Sequence, residues 1–169
     1  MHVTHITDAG GEQNEDRYLI GDKIFGVFDG ATSLHKFISS DGRTGGAIAA
    51  QIVRDMFSEY DGDQDAPLKD ILLKANTKLS QSMQNASVDI SDKSRRWQAA
   101  AAVARIHKNV CEWVSVADCI IISVHKDGSW EAHSRLDNHD LESMYIWQQV
   151  AQEGVENVRS DPRCIEQNK

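Results

Sequence analysis

Four positions in this chain carry groups whose types and spacing suit metal chemistry. Glu15 and Asp16 stand side by side, Asp29 is followed by Gly30, and Asp118 lies between two apolar runs. Tyr18-Leu19-Ile20, a Gly21-Asp22 turn and Ile24 to Phe28 link the first pair to the second. Apolar and aromatic runs on either side of a Gly/Asp turn predict a two-stranded hairpin. Such a hairpin returns Asp29 beside Glu15 and Asp16. Three carboxylates held together repel unless a cation sits between them, and oxygen-only ligands suit Mg²⁺ or Mn²⁺. A plainer reading also fits: Asp29-Gly30 as a turn and Glu15-Asp16 as a solvated strand start. Asp118 is likewise either a turn residue or a carboxylate directed into a polar site.

The elements that must position these groups follow from periodicity. Val3 and Ile6 alternate loosely, which predicts a first strand over His2 to Thr7. After Gly30 a polar loop, Ala31 to Ser40, carries His35 and Lys36, with Leu34, Phe37 and Ile38 as anchors. Ile48, Ile52, Met56 and Tyr60, widened by Val53 and Phe57, predict a helix from Ala47 to about Tyr60. Gly45-Gly46 lets its N-terminus pack close to another backbone. Asp61 to Asp65 is an acidic break; with Leu72 where an EF-hand loop needs Glu, it is no calcium loop. Asp65 reads as the N-cap of a second helix, with Pro67 in its first turn and Leu68, Ile71, Leu72, Ala75, Leu79 and Met83 as its stripe. Ser87 to Arg96 is a polar loop. Trp97 to Ile106, Val110 to Val116, Cys119 to Val124 and Ser129 to His133 read as an antiparallel meander with turns at His107-Lys108-Asn109 and Lys126-Asp127-Gly128. Leu141, Met144, Tyr145, Trp147 and Val150 predict a helix from Asn138 to about Gln152, stopped near Gly154. The tail, Val155 to Lys169, has no clear period. Strands followed by helices and a meander predict an α+β layered domain.

Composition narrows the function classes. The chain has 169 residues, 40% hydrophobic and 26% charged, which is globular. A net charge of −8 without a Lys/Arg block argues against nucleic acid and anionic membranes as partners. No apolar run is long enough to span a bilayer. Cys111, Cys119 and Cys164 lack zinc spacing, and Cys111 and Cys119 lie in apolar runs. They read as buried reduced thiols, as expected of a cytoplasmic protein.

Asn14-Glu15-Asp16, a short strand, then Phe25-Gly26-Val27-Phe28-Asp29-Gly30 resemble the opening of the metal-dependent protein phosphatases, the PP2C family. Ala117-Asp118-Cys119, after a strand ending Ala102-Val103-Ala104-Arg105-Ile106, resembles that family's small residue, Asp and Ser or Cys between two central strands. The resemblance runs in the family's order over about residues 2 to 133. It implies a sandwich of antiparallel β-sheets with antiparallel helix pairs outside, and one domain over 1–169 that lacks the C-terminal part of the family's longer domain. It implies a two-metal Mg²⁺/Mn²⁺ centre with a further accessory ion. Asp29 then bridges both metals, Gly30 offers its carbonyl, Glu15 and Asp16 flank the site, Glu15 largely through metal-bound water, and Asp118 holds the accessory ion. The implied activity is hydrolysis of phosphorylated Ser/Thr proteins by metal-activated water, with no covalent phospho-enzyme. In keeping with that, none of the three Cys has an Arg six positions on. The implied oligomeric state is open.

Three features depart from the family pattern. Ala31 stands where many members have a His proposed as an acid, with His35 nearby. Gly11 stands where a phosphate-binding Arg is common, leaving Arg17 or Arg43 as substitutes. The family's two downstream metal-binding Asp residues have no matching motif: Asp137, Asp140 and Asp161 lie outside the family's Asp-Gly and Asp-Asn contexts. An alternative expectation is therefore a non-catalytic PP2C-like module that binds a partner or phosphorylated ligand without turnover.

Overall fold

In the computed structural model the described residues are 2–9, 13–31, 33, 35–63, 65–133, 139–154, 158 and 161–166. The chain forms two compact units, Met1–Arg135 and Leu136–Lys169. In the first, β1 (Arg17–Ile20) and β2 (Ile24–Ala31) make the expected hairpin. Helices α1 (Gly45–Glu59) and α2 (Leu68–Asn85) follow. Then come a 3₁₀ turn at Lys93–Arg95, β3 (Gln98–His107), β4 (Val110–Val116), β5 (Ile121–Val124) and β6 (Trp130–His133). The second unit holds α3 (His139–Gln152) and α4 (Pro162–Glu166). This is an α+β architecture of antiparallel sheets with helices.

Strands β1 to β4 form one antiparallel sheet in the order β1-β2-β3-β4. Alternation gives it two unlike faces. Leu19, Ile24, Phe28, Ala101 and Val103 point to one face and are buried under Ala50, Val53 and Phe57 of α1 and Leu68, Ile71 and Ala75 of α2. Full burial of Phe28, Phe57, Leu68 or Ile71 stabilises by about 1.5–3 kcal/mol each. The face of α1 that meets the sheet is Ala50, Val53, Met56 and Phe57, while Ala49 packs with Leu79, Met83 and Trp97 and Ile48 and Ile52 are only half-buried beside it. The predicted isoleucine stripe is thus off-centre, because small alanines let the helix sit closer to the strands. The opposite face carries Tyr18, Ile20, Val27, Ile106 and Trp113, all exposed.

Several expectations differ from what is observed. Residues 2–9 form no strand; His5 stacks on Tyr18 instead, with ring centroids 3.8 Å apart. The meander breaks between β4 and β5: Ala117 takes a left-handed φ of 60°, and β5 pairs with β6 in a separate sheet. The β6 ring of His133 packs on Trp113 of β4 at 4.4 Å, so this hairpin touches the open face there. Asp65 is not the cap of α2. Pro67 occupies the N-cap without a side-chain bond, and the Asp63 carboxylate instead accepts the Asp65 and Ala66 N–H groups. Cys111 is exposed and Cys119 half-buried, because β4 has only partial cover on the face opposite the helices; Cys164 is buried. In the second unit Val150 is buried, Trp147 half-buried and Met144 and Tyr145 exposed. Gly154, with φ 78°, ends α3 as expected. Leu34, Asp137 and the side chains of Asp140 and Leu141 lie outside the described residues.

Candidate metal centre

The β1–β2 register pairs Arg17 with Phe28, which sets Asp16 opposite Asp29 one step further along. β2 reaches Asp29 and Gly30 only because β3 continues the sheet there, pairing Asp29 with Ala100 and Gly30 with Ala99. The Asp16 and Asp29 carboxyls stand together at this end of the hairpin, and the charges of Asp118 and Glu15 reach Asp29 as well. Partial burial, then Asp16, then Asp118 and Glu15 hold the Asp29 carboxyl above the usual carboxylate range.

Glycines make the approach possible. A Cβ on Gly30 would lie 2.4 Å from the Gly46 carbonyl oxygen and 2.8 Å from that of Glu15. One on Gly46 would lie 2.8 Å from Glu15 Oε2. So β2 and α1 pack backbone to backbone, and the Glu15 carboxylate rests against the first turn of α1. The positive end of the helix dipole favours it there. Glu15 is therefore directed to the helix rather than into the Asp16–Asp29 pair. Thr44 completes the helix start by accepting the Ala47 N–H at 3.1 Å.

Asp118 is exposed and follows the left-handed Ala117. The crossing it begins carries Cys119 to the side of Asp29, where both line one cleft. Burial, and then the charges of Asp118 and Asp29, push the thiol up to about 11. It is a protonated neighbour of the acids at neutral pH, not a nucleophile. Sequence reasoning missed this contact; its one signal was adjacency to Asp118. Asp16, Asp29 and Cys119 close one end of a cleft of about 350 Å³, floored by Tyr18 and Val27 and walled by Thr4–Thr7.

The other candidates stand elsewhere. Arg17 donates to Gln51 Oε1 and to the carbonyls of Asn14 and Asp16. Arg43 pairs with Asp41 at 2.7 Å. His35 is an exposed loop residue. Asp161 caps α4 through the Arg163 N–H and also pairs with that guanidinium. Hard oxygen donors and the mutual repulsion of Asp16 and Asp29 fit a divalent cation in kind. The set is incomplete in number: among the described residues no three His, Cys, Asp or Glu side chains converge to hold one.

Comparison with known proteins gives concordant findings. The sequence model of protein phosphatase 2C matches residues 5–157. The Mycobacterium tuberculosis serine/threonine phosphatase PstP/Ppp superposes with a TM-score of 0.61 at 16% identity, over 92% of this chain and 60% of that one. The catalytic domain of the serine/threonine protein phosphatase PstP, solved in complex with two manganese ions, gives 0.60 at 16% identity, over 86% of this chain and 56% of that one. The chain thus spans somewhat more than half the length of each. No curated protein matches the sequence.

Proposed function

This chain belongs to the protein phosphatase 2C family, and on that premise we propose that it acts on phosphorylated Ser/Thr proteins as a Mg²⁺- or Mn²⁺-dependent phosphomonoester hydrolase. The observation that carries the reading is the Asp16–Asp29 pair at the end of β2, with Glu15 and Asp118 within electrostatic reach. The manganese-bound phosphatase of the same fold supports it.

Asp29 and Asp16 would hold the metals, with the Gly30 carbonyl beside them, Asp118 at an accessory ion and Glu15 through water. When bound, divalent ions supply charge neutralisation at phosphoryl oxygens and acidify water near neutral pH. The protein's own part is positional. The Gly30–Gly46 contact fixes the end of β2 against α1. Glu15, seated on the first turn of α1, holds the strand entry that presents Asp16. Arg17, donating to the Asp16 carbonyl at 2.7 Å, fixes the backbone between the two acids. Three free thiols agree with a reducing, cytoplasmic setting.

A second reading is favoured by the donor set, in which no three His, Cys, Asp or Glu side chains converge among the described residues. In it, this chain binds a phosphorylated ligand or partner without turning it over. Hydrolysis of p-nitrophenyl phosphate and a phosphothreonine peptide with Mn²⁺ separates the two, measured beside Asp29→Ala. Metal-dependent turnover that vanishes in the variant supports the enzyme. Absence of turnover with retained phosphopeptide binding supports the module.

A further inference from the structure

Two loops leave the sheet at the same end as Asp29. Ala31 pairs with Gln98, so the segment after β2 and the segment before β3 start side by side. They stay joined: the His35 N–H donates to the Ser94 carbonyl at 3.2 Å, and the Phe37 ring packs on Trp97 with centroids 4.6 Å apart. Within residues 31–44 and 86–97 stand five cations, Lys36, Arg43, Lys93, Arg95 and Arg96, against three carboxylates, Asp41, Asp89 and Asp92. The chain as a whole carries −8, so this rim is a local reversal of sign.

The three carboxylates are already engaged within the rim. Asp41 accepts from Ser39 and Arg43, Asp89 from the Ser91 N–H and hydroxyl, and Asp92 from Ser94 and Arg95. Arg96 donates to the Ile90 carbonyl at 2.7 Å. Lys36 and Lys93 are exposed and, among the described residues, make no ion pair. Two uncommitted ammonium groups therefore flank the acidic end of the sheet.

We propose that this rim is a docking surface for acidic residues flanking the phosphorylated position of a protein substrate. The inference rests on the phosphoprotein reading above and names the substrate class more narrowly. Ala31, two residues past Asp29, pairs with Gln98, so the rim begins where the strand that carries Asp29 ends. Lys36 and Lys93 contribute long-range attraction that is screened by salt.

Fluorescence anisotropy with labelled phosphothreonine peptides tests this without requiring turnover. One peptide carries Glu three to six positions on both sides of the phosphothreonine; the other carries Gln there. Exposed ion pairs are individually weak, so the wild-type chain is expected to bind the Glu peptide about 3- to 10-fold more tightly. The double variant Lys36→Glu/Lys93→Glu is expected to lose or reverse that preference, and high salt to abolish it in the wild type. Equal affinity for both peptides, binding of neither, or a preference unchanged in the variant overturns the proposal. Preference for the Glu peptide without any hydrolysis of either would leave the rim standing and remove the enzymatic reading alone.

Discussion

The two ends of the β1–β2 hairpin each hold an aspartate close to backbone, and they use it in opposite ways. At the turn, the Asp61 carboxylate accepts the N–H groups of Asp22, Lys23 and Ile24 at 2.6, 3.0 and 2.7 Å. Burial works to raise its pKa, but those three bonds and the Lys23 charge outweigh it and lower the group. At the open end, Asp29 faces Asp16, Asp118 and Glu15, and burial and charge act together to raise it. A carboxylate met by donors fastens a fold. One met by other carboxylates waits for a cation. The same residue type, about 20 Å apart by strand rise, separates structural from functional use of charge.

The largest effect is expected at the turn. Asp61→Ala leaves three backbone N–H groups without their acceptor and unties the α1–α2 connection from the hairpin. It is expected to cost about 2–4 kcal/mol, read as a lower urea midpoint at neutral pH. The pH dependence has a definite sign. A lowered pKa means that the stabilisation is present above the unfolded value of 3.8 and is lost as pH falls through the folded value. Acid titration of stability should therefore flatten in the acidic range in Asp61→Ala.

Gly30→Ala attacks the other end sterically rather than electrostatically. Its new Cβ meets the Gly46 carbonyl oxygen at 2.4 Å, backbone that must shift. A loss of about 1–3 kcal/mol is expected, with weakened metal binding, measured by thermal melts with and without Mn²⁺. Ala117→Gly relieves a left-handed backbone before Asp118 and is expected to stabilise by about 1 kcal/mol. The smallest effect sharpens the contrast most. In metal-free buffer Asp29→Asn removes repulsion and should raise the melting temperature slightly, whereas Asp61→Asn should lower it. Shifts of the same sign would mean that the two ends do not differ as described.

What was legible in the sequence was local. The β1–β2 hairpin, the helix pair and the Lys126-Asp127-Gly128 turn follow from alternation, stripe and turn chemistry, and Gly128 adopts the φ of 87° that such a turn asks for. The close approach read from Gly45-Gly46 is where α1 meets β2. What was not legible depended on partners distant in the chain. Asp61 read as one residue of an acidic break because its three donors lie 37 to 39 positions away. Arg105, buried at 3% exposure, read as the end of a strand, yet it donates to the Asp63 and Ala66 carbonyls and holds the same connection. The interruption at Ala117-Asp118 was legible, but the departure of β5 into a separate sheet was not, because nothing in an Ala announces a left-handed φ. Cys111 was misjudged because apolar neighbours imply a buried strand only where both faces are covered. At the open end, the meeting of Asp16 and Asp29 followed from hairpin register alone, while the Cys119 contact required the chain to cross from β4.

Calorimetric titration of Mn²⁺ into the wild-type chain and Asp29→Ala tests the central claim, that the open end of the hairpin is a divalent metal centre. A binding isotherm is expected for the wild type, with its loss in a variant that remains folded by circular dichroism. Equal Mn²⁺ binding by both chains, or none by the wild type, would contradict it.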